Sequence, residues 1–203
     1  MLTTKPFSTI SYNSAEFLVL KLNEMLKARE ISFWAFVGHY AERDEGKNHI
    51  HLYVVPDKRI QTSQFVDAMK ELDVSNPLAP PLGVMPCQSS KFADWFLYAS
   101  HDSAYLLTKG QKREYHYTTS DFATSHEDYF LELVHTIDRT KYYRQVEILE
   151  KMKTGSSLED LVRTGQIPIA QLSQWEKAFH LMQAYDLRLA RNERKTHSPL
   201  DET

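Results

Sequence analysis

Ile31-Ser32-Phe33-Trp34-Ala35-Phe36-Val37 and Ile50-His51-Leu52-Tyr53-Val54-Val55 are the two tracts that decide the fold, because their β-branched and aromatic content reads as strand. The polar segment carrying Asp44, Glu45, Gly46, Lys47 and Asn48 between them reads as a loop, so the two strands should be antiparallel neighbours. Upstream, Leu18, Leu22, Met25 and Leu26 recur at helical spacing over residues 15–28, with Ser14 placed to cap them. Downstream, Phe65, Met69 and Leu72 share a face over residues 63–72, which predicts a second helix. Residues 77–86, with Pro77, Pro80, Pro81, Gly83 and Pro86, read as a long loop or edge segment, and Ser90 as the cap of a third helix.

This order predicts an α+β fold through about residue 125, an antiparallel sheet flanked by helices. From Ser125-His126-Glu127-Asp128, which has a capping-box pattern, the chain changes character. Gly155, Gly165 and Pro168 are its strong breakers up to Lys195, so residues 126–203 are expected to form an all-helical C-terminal module after a 1–125 domain. Residues 196–203 are polar and expected to fray.

The 203 residues, 42% hydrophobic and 12% aromatic, suffice for one ordinary core or a core plus a smaller helical module. The single cysteine, Cys87, rules out an internal disulfide, and no cysteine pairing suggests structural zinc. Met1-Leu2-Thr3-Thr4-Lys5-Pro6 does not read as a leader and no apolar run spans a bilayer, so the expectation is a cytoplasmic protein without a membrane partner. A net charge of -3 argues against a surface that is basic throughout. Any nucleic-acid contact must be local, as at Lys58-Arg59, at residues 109–113, or along Arg188, Arg191, Arg194 and Lys195; each of these also reads as an ordinary solvated face.

The chemistry concentrates in His49-Ile50-His51. Positions two apart on a strand share a face, so both imidazoles can reach one metal ion while Ile50 enters the core. If the strands pair as expected, His39 lies across from the start of the second strand and joins the same site. Glu42, with Asp44 and Glu45 just beyond, offers carboxylate oxygens, and a mixed nitrogen and oxygen shell suits Mn2+ or Mg2+. The plainer alternative is a His-x-His pair that faces solvent or makes ordinary hydrogen bonds.

The segment Ser90-Lys91-Phe92-Ala93-Asp94-Trp95-Phe96-Leu97-Tyr98-Ala99-Ser100-His101-Asp102 sorts into two sides at helical spacing: Phe92, Phe96 and Ala99 form an apolar stripe, and Lys91, Asp94, Tyr98, His101 and Asp102 sit together on a polar side. Tyr98 is a candidate nucleophile if a base, a cation or a metal-polarised target activates it, since an ordinary phenol has a pKa near 10. As one of 11 tyrosines it also reads as a ring packed at an interface with a wet hydroxyl. Tyr105, Tyr115 and Tyr117, in a region around residues 109–113 that looks like a hairpin, remain open as nucleophiles.

Together, His39 followed by Glu42, His49-Ile50-His51 running into Leu52-Tyr53-Val54-Val55, and Tyr98-Ala99-Ser100-His101 followed by Asp102, Tyr105 and Lys109 resemble the RepB-type rolling-circle plasmid replication initiators of the HUH endonuclease superfamily. The motifs cover some forty residues in the family's order. Two departures are visible: His39-Tyr40-Ala41-Glu42 where the family usually has His-Asp-Lys-Asp, and Ala-Ser-His after Tyr98 where Leu-Thr-His or Leu-Val-His is commoner.

The resemblance implies an RRM-like HUH core in which His39, Glu42, His49 and His51 bind the metal and Tyr98 attacks the scissile phosphate of a plasmid origin, single-stranded at the nick with duplex repeats nearby. It implies a 5′-phosphotyrosine intermediate, a 3′-hydroxyl that primes a host polymerase, and a host helicase as a further partner. The helical module would assemble a homo-oligomer, in the family a hexameric ring. Leu158, Leu161, Val162, Leu172, Trp175, Phe179, Met182 and Tyr185 are spaced to need a partner surface; internal packing and a helix-turn-helix that reads DNA are the other readings. Rival functions are another HUH enzyme, such as a relaxase or single-strand transposase, and a non-catalytic DNA-binding copy-control regulator.

Overall fold

The computed structural model describes residues 2–3, 5–40, 42, 48–69 and 92–196. Asp44, Glu45, Cys87, Lys91, the 77–86 segment, the Ser90 cap, the second helix beyond Met69 and the polar tail beyond Thr196 lie outside these residues. The chain forms two compact units, Met1–His101 with Tyr115–Ile137, and Asp102–Glu114 with Asp138–Thr203.

The first unit is α+β. Its strands are β1 (Leu2–Thr3), β2 (Phe7–Ser11), β3 (Ile31–His39), β4 (His49–Pro56), β5 (Ile60–Gln61) and β6 (Phe122–Thr124). Four of them make an antiparallel sheet in the order β2-β4-β3-β6, and β1 pairs with β5. The tracts at residues 31–37 and 50–55 lie in the central pair, β3 and β4. One face packs Trp34, Phe36, Ile50, Leu52 and Val54 against Leu18, Leu22 and Met25 of α1 (Ala15–Lys27) and Phe65 of α2 (Thr62–Ala68). The other carries an aromatic layer in which Tyr53 meets Phe92 and Trp95 of α3 (Phe92–Ala99), while Phe130 of α5 (Glu127–His135) contacts Phe92, Phe96 and Phe122. Helices cover both faces, so the central strands carry near-continuous apolar runs instead of strict alternation.

Two sheet strands escape the sequence pattern for a physical reason. β2 alternates in burial, but two of its three inward positions are Thr9 and Ser11, so its core face is not apolar. β6 has three residues, too few for any period to show. Ser14 does cap α1, its hydroxyl accepting the Phe17 N–H.

The expected capping box at Ser125 is corrected: Ser125 exchanges hydrogen bonds with the Trp34 backbone, extending the β3 contact beyond β6, and α5 begins after His126 without a side-chain cap. The hairpin expected around residues 109–113 is also absent, since the second unit's α4 (Ser103–Thr108) is followed by a stretch without strand structure up to residue 118.

The second unit holds α4 with α6 (Thr140–Lys153), α7 (Leu158–Arg163) and α8 (Leu172–Thr196). Gly155 and Gly165 follow α6 and α7 with φ of 107° and 71°, left-handed conformations that stop a helix at little cost only for glycine. Leu161, Trp175 and Met182, read as seeking a partner surface, are buried inside this unit with Ile148, Leu149, Met152 and Ile167, and Leu158, Val162 and Phe179 pack partly against them. Internal packing therefore uses most of that apolar pattern. No helix among the described residues is long and apolar enough to cross a membrane.

Candidate metal centre and its tyrosine

Register gathers the histidines. His39 ends β3 and pairs directly with His49, which begins β4, while His51 lies opposite Val37. Alternate residues of a strand share a face, so the three imidazoles project together toward the α3 side, while Ile50 joins the opposite core. One ligand nitrogen from each lies within 4.8 Å of the others, and Nε2 of His49 and Nε2 of His51 are 3.1 Å apart.

The protonation states fit a cation. Nε2 of His39 is 2.8 Å from the Ala99 carbonyl oxygen; a carbonyl can only accept, so Nε2 carries the proton and the ring's lone pair sits on Nδ1. Metal-bound imidazoles commonly anchor their second nitrogen in this way. Burial, reinforced by the nearby His39, His49 and His101, pushes the pKa of His51 down from 6.5 to about 2. His51 is thus a neutral imidazole at ordinary pH, the form that ligates metal. These three histidines could hold a metal ion.

The end of α3 builds the wall behind them. Its Ala99 carbonyl fixes His39, and the chain turns at His101, which adopts φ of 56°. A left-handed residue other than glycine, asparagine or aspartate costs roughly 1–2 kcal/mol. Here the buried residue is held twice: its ring Nδ1 donates to the Tyr115 carbonyl at 2.9 Å, and its backbone carbonyl accepts from Nδ1 of His116. The His101 ring is 4.4 Å from that of His39, and the buried Tyr117 ring stacks on His39 at 4.5 Å and 8°. The sequence flags His101 through its spacing from Tyr98. Nothing in the sequence marks Tyr117 as the residue that backs His39.

Tyr98 stands at the open side, with its ring centroid 5.5 Å from that of His51 at 82° and 37% of the residue exposed. Of the other tyrosines left open as nucleophiles, Tyr105 is buried against Tyr142 in the second unit, Tyr115 packs edge-on against Tyr117, and Tyr117 is buried. Asp102 caps α4, accepting the Tyr105 N–H, and pairs with Arg139. Glu42 is exposed, and among the described residues the ligand cluster comprises the three histidines without it. Lys58 and Arg59 are exposed beyond the end of β4 opposite to His49. No protein-family model matches the chain, and no curated protein matches it.

Proposed function

We propose that the chain is a metal-dependent HUH-type endonuclease, similar to the RepB-type rolling-circle initiators, that nicks and rejoins one DNA strand through Tyr98. The observation that carries this reading is the position of Tyr98: an exposed phenol whose ring lies against His51, at the open edge of three convergent imidazoles.

His39, His49 and His51 would hold a divalent cation; an all-imidazole set fits a first-row transition ion better than Mg2+, whose preferred ligands are oxygens, and the resemblance points to Mn2+. A cation bound there supplies positive charge to the non-bridging oxygens of the scissile phosphate. The Tyr98 Oη attacks phosphorus in line while its proton passes to water on the exposed side. The P–O3′ bond breaks and the leaving 3′ oxygen takes a proton from water, giving a 5′-phosphotyrosine link and a free 3′-hydroxyl. One phosphate ester replaces another, so the 3′-hydroxyl can reverse the step without ATP. Ala99 and His101 position: the first orients His39 through its carbonyl, and the second closes the protein side of the cluster.

By the same resemblance, plasmid origin DNA is the substrate, a host helicase and polymerase follow the nick, and the helical unit mediates self-association. Ile169, Leu181 and Leu187 are large apolar residues that this unit leaves exposed. The test is a random-sequence single-stranded DNA pool incubated with the protein and Mn2+. A denaturation-resistant adduct should form and should be missing from Tyr98→Phe. An adduct that persists in Tyr98→Phe, or none from the native protein, defeats the proposal.

A further inference from the structure

At the triad end of the sheet, on the α1 side, an open cleft of about 290 Å3 is lined by Tyr12, Asn13, Glu16, Tyr40, Asn48 and His49, among others. His49 belongs both to this cleft and to the histidine cluster, so the two adjoin at that residue. Tyr12 and Tyr40 are 36% and 46% exposed, and the Tyr12 ring centroid is 6.4 Å from that of His49. Tyr40 folds back over its own strand across Gly38: a Cβ at position 38 would come within 2.7 Å of its Oη and 2.8 Å of its Cζ. A residue without a side chain on β3 therefore permits this ring placement.

The lining discriminates between the parts of a nucleotide. Among the described residues the lining holds no lysine or arginine, and it includes the Glu16 carboxylate, which repels phosphate. Two exposed aromatic faces beside a carboxylate and the Asn48 amide suit a nucleobase, stacked on the rings with its polar edge turned to the acceptors. Resting on the single-strand nuclease reading above, we propose that this cleft is a base subsite. It takes the nucleotide adjoining the scissile phosphate and favours a base with an exocyclic amino group, which can donate to Glu16. Thymine, which lacks that group, is disfavoured.

The experiment uses full-length protein, Mn2+ and a random single-stranded 20-mer pool, with sequencing of the DNA captured in covalent adducts. The native protein should show a base preference at a nucleotide flanking the nick, with thymine depleted. An oligonucleotide abasic at that position should react more slowly by roughly 5- to 150-fold, the range that stacking one base supplies. Tyr12→Ala and Tyr40→Ala should still form adducts, with that abasic penalty reduced at least about fivefold, whereas Tyr12→Phe and Tyr40→Phe should keep it. Glu16→Gln should narrow the discrimination against thymine. An unchanged penalty in both alanine variants overturns the subsite and leaves the nuclease reading standing. Failure of the native protein to form any adduct overturns both.

Discussion

The histidine triad and Tyr98 sit side by side and are built in opposite ways. His39 and His51 are nearly buried, set by the register of two central strands and held by a backbone carbonyl and a stacked ring. Tyr98 lies near the end of an eight-residue helix, more than a third exposed, and meets the cluster through the His51 ring. The ligand side is preorganised, with burial holding the His51 imidazole in its neutral form. The tyrosine side stays exposed to solvent. Substitutions on the two sides should therefore separate metal binding from chemistry.

The largest effect belongs to the tyrosine. Tyr98→Phe removes one exposed hydroxyl, so Mn2+ affinity and thermal stability should stay at native values while adduct formation falls below detection. Loss of metal binding in this variant would break the division. Next, His51→Ala should lower Mn2+ affinity by at least roughly 100-fold, the upper end of what removing mere supporting contacts costs, and nicking should fall with it. Mn2+ should raise the thermal midpoint of the native protein and leave that of His51→Ala unchanged, with a chelator reversing the native shift. Tyr117→Leu removes the ring stacked on His39 and should weaken Mn2+ binding about tenfold without touching a ligand.

Smaller still is a pH effect on the metal-free protein. The folded-state pKa of His51 lies near 2, below its ordinary 6.5. Between these values the unfolded chain binds the proton and the folded chain does not, so stability rises with pH across this window. The contribution is fully present above about 6.5 and is lost as pH falls toward 2. Urea midpoints measured from pH 7.5 to 4.5 should decline more steeply in the native protein than in His51→Asn. Equal slopes would mean that burial does not hold His51 neutral.

These contrasts also account for what the sequence reveals. The central strands and the two-residue histidine spacing are legible because each is a local pattern with a single geometric consequence. The edge strand β2 is not, since Thr9 and Ser11 occupy its inward positions. The backing of His39 by Tyr117 depends on pairing across 78 positions of chain, from 39 to 117, which no local pattern encodes. The apolar residues of the helical unit are legible as helix faces, but spacing cannot tell an intermolecular surface from the unit's own core, and Leu161, Trp175 and Met182 occupy the latter. Glu42 follows His39 at the motif's distance yet lies outside the ligand cluster, beyond the strand end where register no longer dictates position.

The central claim is that Tyr98 becomes covalently attached to DNA beside the histidine cluster. Digesting the adduct with protease and nuclease and sequencing the modified peptide by mass spectrometry tests it most directly. The account predicts a nucleotide phosphate on Tyr98; a nucleotide on Tyr12, Tyr40, Tyr105, Tyr115 or Tyr117 instead would contradict it.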